Sequence, residues 1–266
     1  MKNYLIIFLF LIGCSTPQIE QKQANLIELN NNQFEENVYR FSEFNIFSLK
    51  KVKNDNLLTI YIEGDGQAWL SRFKPSSDPT PVNPTAFKLA LQDQSDNVIY
   101  LSRPCQYISG PSCENSKIWT SLQYSEAVLG VYRRILEQLT KEYQDIHLVG
   151  YSGGAAIAMH LASKDFNIRS IRTVAGNINP DEIVKLLNLS GYNKEINFYS
   201  LEKKIKDISQ THYYGTKDKV VPNILHLNYE KRNSINKCTK IQPVKASHQD
   251  GWIEFWKENY QLKINC

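Results

Sequence analysis

The chain has 266 residues, 42% hydrophobic and 22% charged, which is the length and balance of one globular α/β domain. Its 31 basic and 27 acidic residues leave a formal charge of +4 and are scattered along the sequence. There is no long basic run and no basic patch interleaved with aromatics, which argues against a nucleic-acid binder.

The beginning carries a separate message. Met1-Lys2-Asn3 is a short positive start, Tyr4 to Ile12 is apolar, and Leu11-Ile12-Gly13-Cys14 resembles a bacterial lipobox. An apolar stretch this short does not span a bilayer as a permanent helix. Residues 1–13 are therefore read as a lipoprotein signal peptide and Cys14 as the lipidated residue; an ordinary secretory signal or a retained anchor is the alternative. Ser15 stands after the cysteine where Asp would signal retention, which resembles the pattern for outer-membrane sorting. The expected location is the bacterial cell envelope, with several acyl chains giving durable membrane attachment. Residues 14–38, rich in Gln, Asn and Glu, are expected to be a flexible tether, and residues 39–266 the folded domain.

Export implies an oxidising compartment. With Cys14 set aside, Cys105, Cys113, Cys238 and Cys266 remain and allow more than one pairing. Cys105 with Cys113 closes a short loop, Cys238 with Cys266 pins the C-terminus, and this pairing is favoured. No C-x-x-C or H-x-x-x-H spacing is present, so no metal is expected.

Phe41 to Leu49 is expected to supply an antiparallel strand at a sheet edge. Leu57 to Ile62 is a continuous apolar, β-branched run, as a strand covered on both faces requires. It ends in Glu63-Gly64-Asp65-Gly66, and a proline-rich loop follows over residues 71–84. A helix from Thr85, a strand over Asn97 to Leu101 and a helix ending near Leu139 come next. Ile146, Leu148 and Val149 then lead into Gly150-Tyr151-Ser152-Gly153-Gly154 and an alanine-rich helix. That is strand, tight turn, helix, with a serine at the tip. Beyond it lie a strand over 168–175, a strand over 211–214, a helix from Asn223, a strand over 240–244 and a closing helix from Trp252. Asp218 follows the second of these strands and His248 the third.

The glycine-flanked serine, with Asp218 and His248 after it in that order, resembles the α/β-hydrolase superfamily from about residue 57 to the end. The resemblance implies a mostly parallel central sheet flanked by helices, and nothing in the chain suggests a large lid domain. It implies Ser152 as nucleophile, His248 as base and Asp218 as the acid that orients it, with backbone N–H groups of Asp65 and Gly153 forming an oxyanion hole. Glu63 stands where the superfamily usually has histidine. Asp250 is a rival acid, and His147, His160, His212 and His226 are rival bases that sit on strands or helices.

The function expected is a serine hydrolase, an envelope esterase acting on a small or lipid-like acyl substrate through an acyl-enzyme. Acyl transfer, amide or peptide cleavage, and a non-catalytic anchored binding protein are the alternatives. Glu63 and Asp65 also prompt the expectation that a carboxylate meets a cationic part of the substrate. No cofactor is implied, since P-loop and dinucleotide fingerprints are absent. Oligomeric state is left open.

Overall fold

The computed structural model describes residues 18–54, 56–189, 191, 195–261 and 266. Cys14 and the signal peptide lie outside the described residues. In chain order the elements are α1 (Gln18–Asn30), β1 (Glu35–Arg40), β2 (Asn45–Lys51), β3 (Leu57–Ile62), β4 (Trp69–Ser71), β5 (Lys74–Pro75), α2 (Thr85–Gln92), β6 (Val98–Leu101) and α3 (Glu126–Leu139). They continue with β7 (Asp145–Tyr151), α4 (Gly154–Ala162), β8 (Ile168–Val174), α5 (Pro180–Leu187), α6 (Phe198–Lys204), β9 (Ser209–Gly215), α7 (Asn223–Arg232), β10 (Thr239–Val244) and α8 (Trp252–Asn259).

Eight strands form one sheet in the order β1-β2-β6-β3-β7-β8-β9-β10. β1, β2 and β6 pair antiparallel, and every neighbour from β6 to β10 pairs parallel. The parallel strands are buried because helices cover both faces. β3 reads Leu-Leu-Thr-Ile-Tyr-Ile and only its first residue is exposed. One core, containing residues of α3, α4, α5, α6 and α7, fills one face of the sheet; the other joins α1, α2 and α8. α4 is buried along its whole length, and its Ala155, Ala156 and Ala158 let it lie close against the strands. On the opposite face Trp252 and Trp256 are fully buried, each worth about 2–3 kcal/mol of apolar transfer. Trp256 keeps its indole N–H satisfied on the Tyr61 hydroxyl, which donates in turn to Asp93.

The N-terminal segment departs from the tether expected over residues 14–38. Residues 18–30 are helical, Leu26 is buried against the second core, and Glu35–Arg40 is the edge strand β1. Lys22 Nζ donates to Asp78, to the Thr80 carbonyl and to Gln67 Oε1, at 2.8, 2.9 and 3.1 Å. The physical reason is that one deeply buried leucine and a multiply bonded lysine suffice to seat a helix whose remaining apolar residues, Ile27 and Leu29 among them, form no buried stripe. The expected disulfides are present: Cys105 is bonded to Cys113 and Cys238 to Cys266. Among the described residues no helix is long and apolar enough to cross a membrane.

Candidate active site

β7 runs into α4 with no loop to spare, and Ser152 sits at the join with φ 48°. That left-handed backbone is costly for a residue with a Cβ and is held by its surroundings. The Ser152 N–H donates to the Val174 carbonyl, and its own carbonyl accepts from Ala155 and Asn177. The flanking glycines are required by close approach: a Cβ on Gly150 would lie 2.5 Å from Ala155 Cα, and one on Gly153 would lie 1.8 Å from Asp65 Oδ1.

The hydroxyl points at the loop after β10. Ser152 Oγ is 3.1 Å from His248 Nε2, and His248 Nδ1 is 2.9 Å from Asp218 Oδ2. Asp218 is buried, and its other oxygen accepts the backbone N–H groups of Val220 and Val221 at 2.8 and 3.0 Å. Burial pushes its carboxyl up, but the imidazole and these donors outweigh that and hold it below the ordinary carboxylate value. The His248 carbonyl accepts from the Tyr151 hydroxyl at 2.9 Å and from the Trp252 indole at 3.1 Å, so the loop is clamped from both sides.

Asp250, the rival acid, accepts from the Ser247 hydroxyl instead of facing the imidazole. The four rival histidines are buried away from Ser152, and burial lowers all of them: His147, His160 and His226 to about 4 and His212 to about 3. They are neutral packing groups.

The loop after β3 forms the facing wall. Glu63 is buried, and its carboxylate accepts from the N–H groups of Gly64 at 2.9 Å and Ala86 at 3.3 Å and from the Tyr100 hydroxyl at 3.2 Å. Burial raises it to about 7. Asp65 is tied by Arg103 Nη1 at 3.0 Å, and Arg103, itself buried, also donates to Gln123. Gln106 Nε2 holds the Gly64 carbonyl at 3.0 Å. Glu63 is thus engaged inside the protein, whereas Asp65, though paired with Arg103, keeps a partly exposed side chain on the cleft over Ser152. The Gly64 N–H is consumed by Glu63, whereas the N–H groups of Asp65 and Gly153 have no protein acceptor among the described residues.

Sequence reasoning finds Ser152, Asp218 and His248, and the structure brings them into one hydrogen-bonded chain. It misses the brace of Arg103, Gln106 and Gln123, whose signal is only their place on the loops beyond β6. The cleft over Ser152 holds about 500 Å³ and is lined by Asp65, Trp69, Val82, Val220 and His248 among others. It opens at the carboxyl ends of the strands, where open α/β sheets carry their sites. Among the described residues no cluster of His, Cys, Asp and Glu could hold a metal ion.

No family model and no curated protein sequence matches the chain. Solved structures do. An esterase from Pyrococcus furiosus is 14% identical over 88% of this chain and 90% of its own, with a TM-score of 0.59. Est1E from Butyrivibrio proteoclasticus is 12% identical over 84% and 95%, with a TM-score of 0.59. The thioesterase domain of the curacin biosynthetic pathway is 15% identical over 86% and 100%, with a TM-score of 0.53. At such identities the likeness is one of architecture: the chain has the α/β-hydrolase fold.

Proposed function

We propose that the protein is a serine hydrolase that cleaves carboxylic esters through an acyl-enzyme. The observation that carries this reading is the chain Ser152–His248–Asp218, beside the backbone N–H groups of Asp65 and Gly153, which have no protein acceptor among the described residues. A serine hydroxyl is a poor nucleophile until a base takes its proton. As Ser152 Oγ bonds to the acyl carbon, His248 Nε2 accepts the hydroxyl proton and then returns it to the departing alkoxide. Asp218 fixes the tautomer and stabilises the imidazolium. The Asp65 and Gly153 N–H groups bind the oxygen of the tetrahedral intermediate, where charge develops. Water then attacks the acyl-enzyme with His248 again as base, releasing a carboxylic acid and restoring the serine.

The placement belongs to the same reading: cleavage before Cys14, acylation of that cysteine, and attachment to an envelope membrane, the outer one favoured. The neighbours named as esterases and thioesterase support acyl chemistry by analogy of fold. Labelling with a fluorophosphonate probe tests the chemistry. Wild type is expected to label, Ser152→Ala and His248→Ala to lose labelling, and both to lose at least about 10³-fold in ester turnover. A folded wild type that does not label would sink the hydrolase reading and favour a binding protein. Mass spectrometry of the mature N-terminus tests the anchor, which an unmodified terminus away from Cys14 would exclude.

A further inference from the structure

Between Gln67 and Asp78 the chain carries apolar side chains where a water-facing hairpin would carry polar ones. β4 and β5 form a small antiparallel hairpin of their own, separate from the main sheet. Trp69 is 48% exposed, Leu70 is exposed, and Phe73 at the turn is 85% exposed. Val82 and Val220 are exposed as well, and with Trp69 they line the cleft over Ser152. Single exposed apolar residues are ordinary, but a set of them around the mouth of one cleft marks a contact surface.

Charge and chain direction say what the surface meets. The charged residues from 67 to 77 are Arg72 and Lys74, and Lys217 and Lys219 sit on the turn before Val220. An apolar tip flanked by cations fits a lipid interface bearing negative headgroups. α1 is clasped to the base of the same loop through Lys22, and Ile19 in its first turn lines a cleft with Ser77, Asp78 and Pro79. Cys14 lies four residues before Gln18, a reach of at most about 14 Å.

We propose that Trp69, Leu70, Phe73, Val82 and Val220 dock the mouth of the Ser152 cleft on an anionic lipid surface. That a lipid on Cys14 would hold this mouth near the same surface rests on the anchoring reading above; docking itself does not require the chemistry of Ser152. The esters it would then meet are those presented from the bilayer.

The chain offers its own reporter. Of its four tryptophans, Trp119, Trp252 and Trp256 are buried, which leaves Trp69 as the one that a quencher in the bilayer reaches. The full-length protein, with its N-terminus as processed in the cell, is mixed with vesicles of phosphatidylglycerol and phosphatidylcholine carrying brominated acyl chains. Expected are a blue shift and at least about twofold quenching of an emission component that Trp69→Phe removes. Both are expected to persist in Ser152→Ala, to weaken without phosphatidylglycerol, and to fall several-fold in Phe73→Asp. Phe73→Asp should keep the wild-type thermal midpoint and far-ultraviolet circular dichroism, which verifies its fold.

Absence of Trp69 quenching would overturn the proposal, as would equal quenching in Phe73→Asp. A shift that follows protein concentration in lipid-free buffer and ignores vesicles would assign the rim to a second copy and overturn it too. So would a shift produced by a monomeric short-chain ester but not by vesicles. Quenching without serine labelling supports docking and sinks the hydrolase reading; labelling without quenching does the reverse.

Discussion

At the end of β3 a carboxyl group is placed where water does not reach it. Glu63 makes up for part of that desolvation with two backbone donors and the Tyr100 hydroxyl, yet burial still raises it from 4.5 to about 7. Because the folded value is the higher one, the folded chain holds this proton between about pH 4.5 and pH 7 while the unfolded chain has lost it. Stability from this group is therefore full below about pH 4.5 and declines as pH rises through about 7, by at most roughly 3 kcal/mol. Glu63→Gln keeps an acceptor for Gly64 and has no proton to lose. Thermal midpoints measured against pH should fall less steeply for Glu63→Gln than for wild type across that window. Parallel slopes would show that Glu63 does not titrate there.

The residues legible in the sequence are those whose neighbours in the chain announce them. Ser152 is announced by glycines that close packing forces, and Asp218 and His248 by their places after successive strands. The Asp65 latch is different in kind. Arg103 and Gln123 come from loops far along the chain, and no local pattern marks a guanidinium for burial against one particular carboxylate.

Among the elements, α1 shows why a helix can hide in a polar stretch. Pattern recognition needs several apolar residues at helical spacing. Here Ile27 and Leu29 stay exposed and Leu26 alone is deeply buried, so the stripe is one residue wide. Leu26→Ala should cost about 2–4 kcal/mol in denaturant unfolding, as truncation of a buried leucine does. A loose tether would tolerate the change without effect, so an unaltered midpoint would restore that picture. By contrast β3 and β6 are read directly, because strands covered on both faces are apolar almost throughout, while β7 and β8 keep enough apolar residues to be read around His147, Arg169 and Arg172.

For the molecule as a whole, the class of fold is legible from alternating strands and helices, whereas the strand order is not. β3 lies between β6 and β7, neighbours distant in the chain, and such pairing is settled by long-range packing rather than local composition. The two disulfides divide their duties. In the chain-entropy picture, Cys105–Cys113, with a separation of 8, contributes about 2.5 kcal/mol, and Cys238–Cys266, with a separation of 28, about 3.5 kcal/mol. Paired Cys→Ser variants should show the larger loss of stability for Cys238 and Cys266. The larger loss of ester turnover should come from Cys105 and Cys113, since their loop carries the Gln106 that holds Gly64. Equal turnover in both variants would detach that loop from the site.

A seated α1 alters what the N-terminal chain transmits. A slack string sets only the greatest height of its load, but a helix fixed to the body also sets a tilt. Under the proposed anchoring, Lys22 becomes a pivot, joining the stalk to the wall of the cleft through Gln67, Asp78 and Thr80. The protein would then stand on its membrane at a preferred latitude, and selection among substrates would begin with posture, before any pocket contact is made.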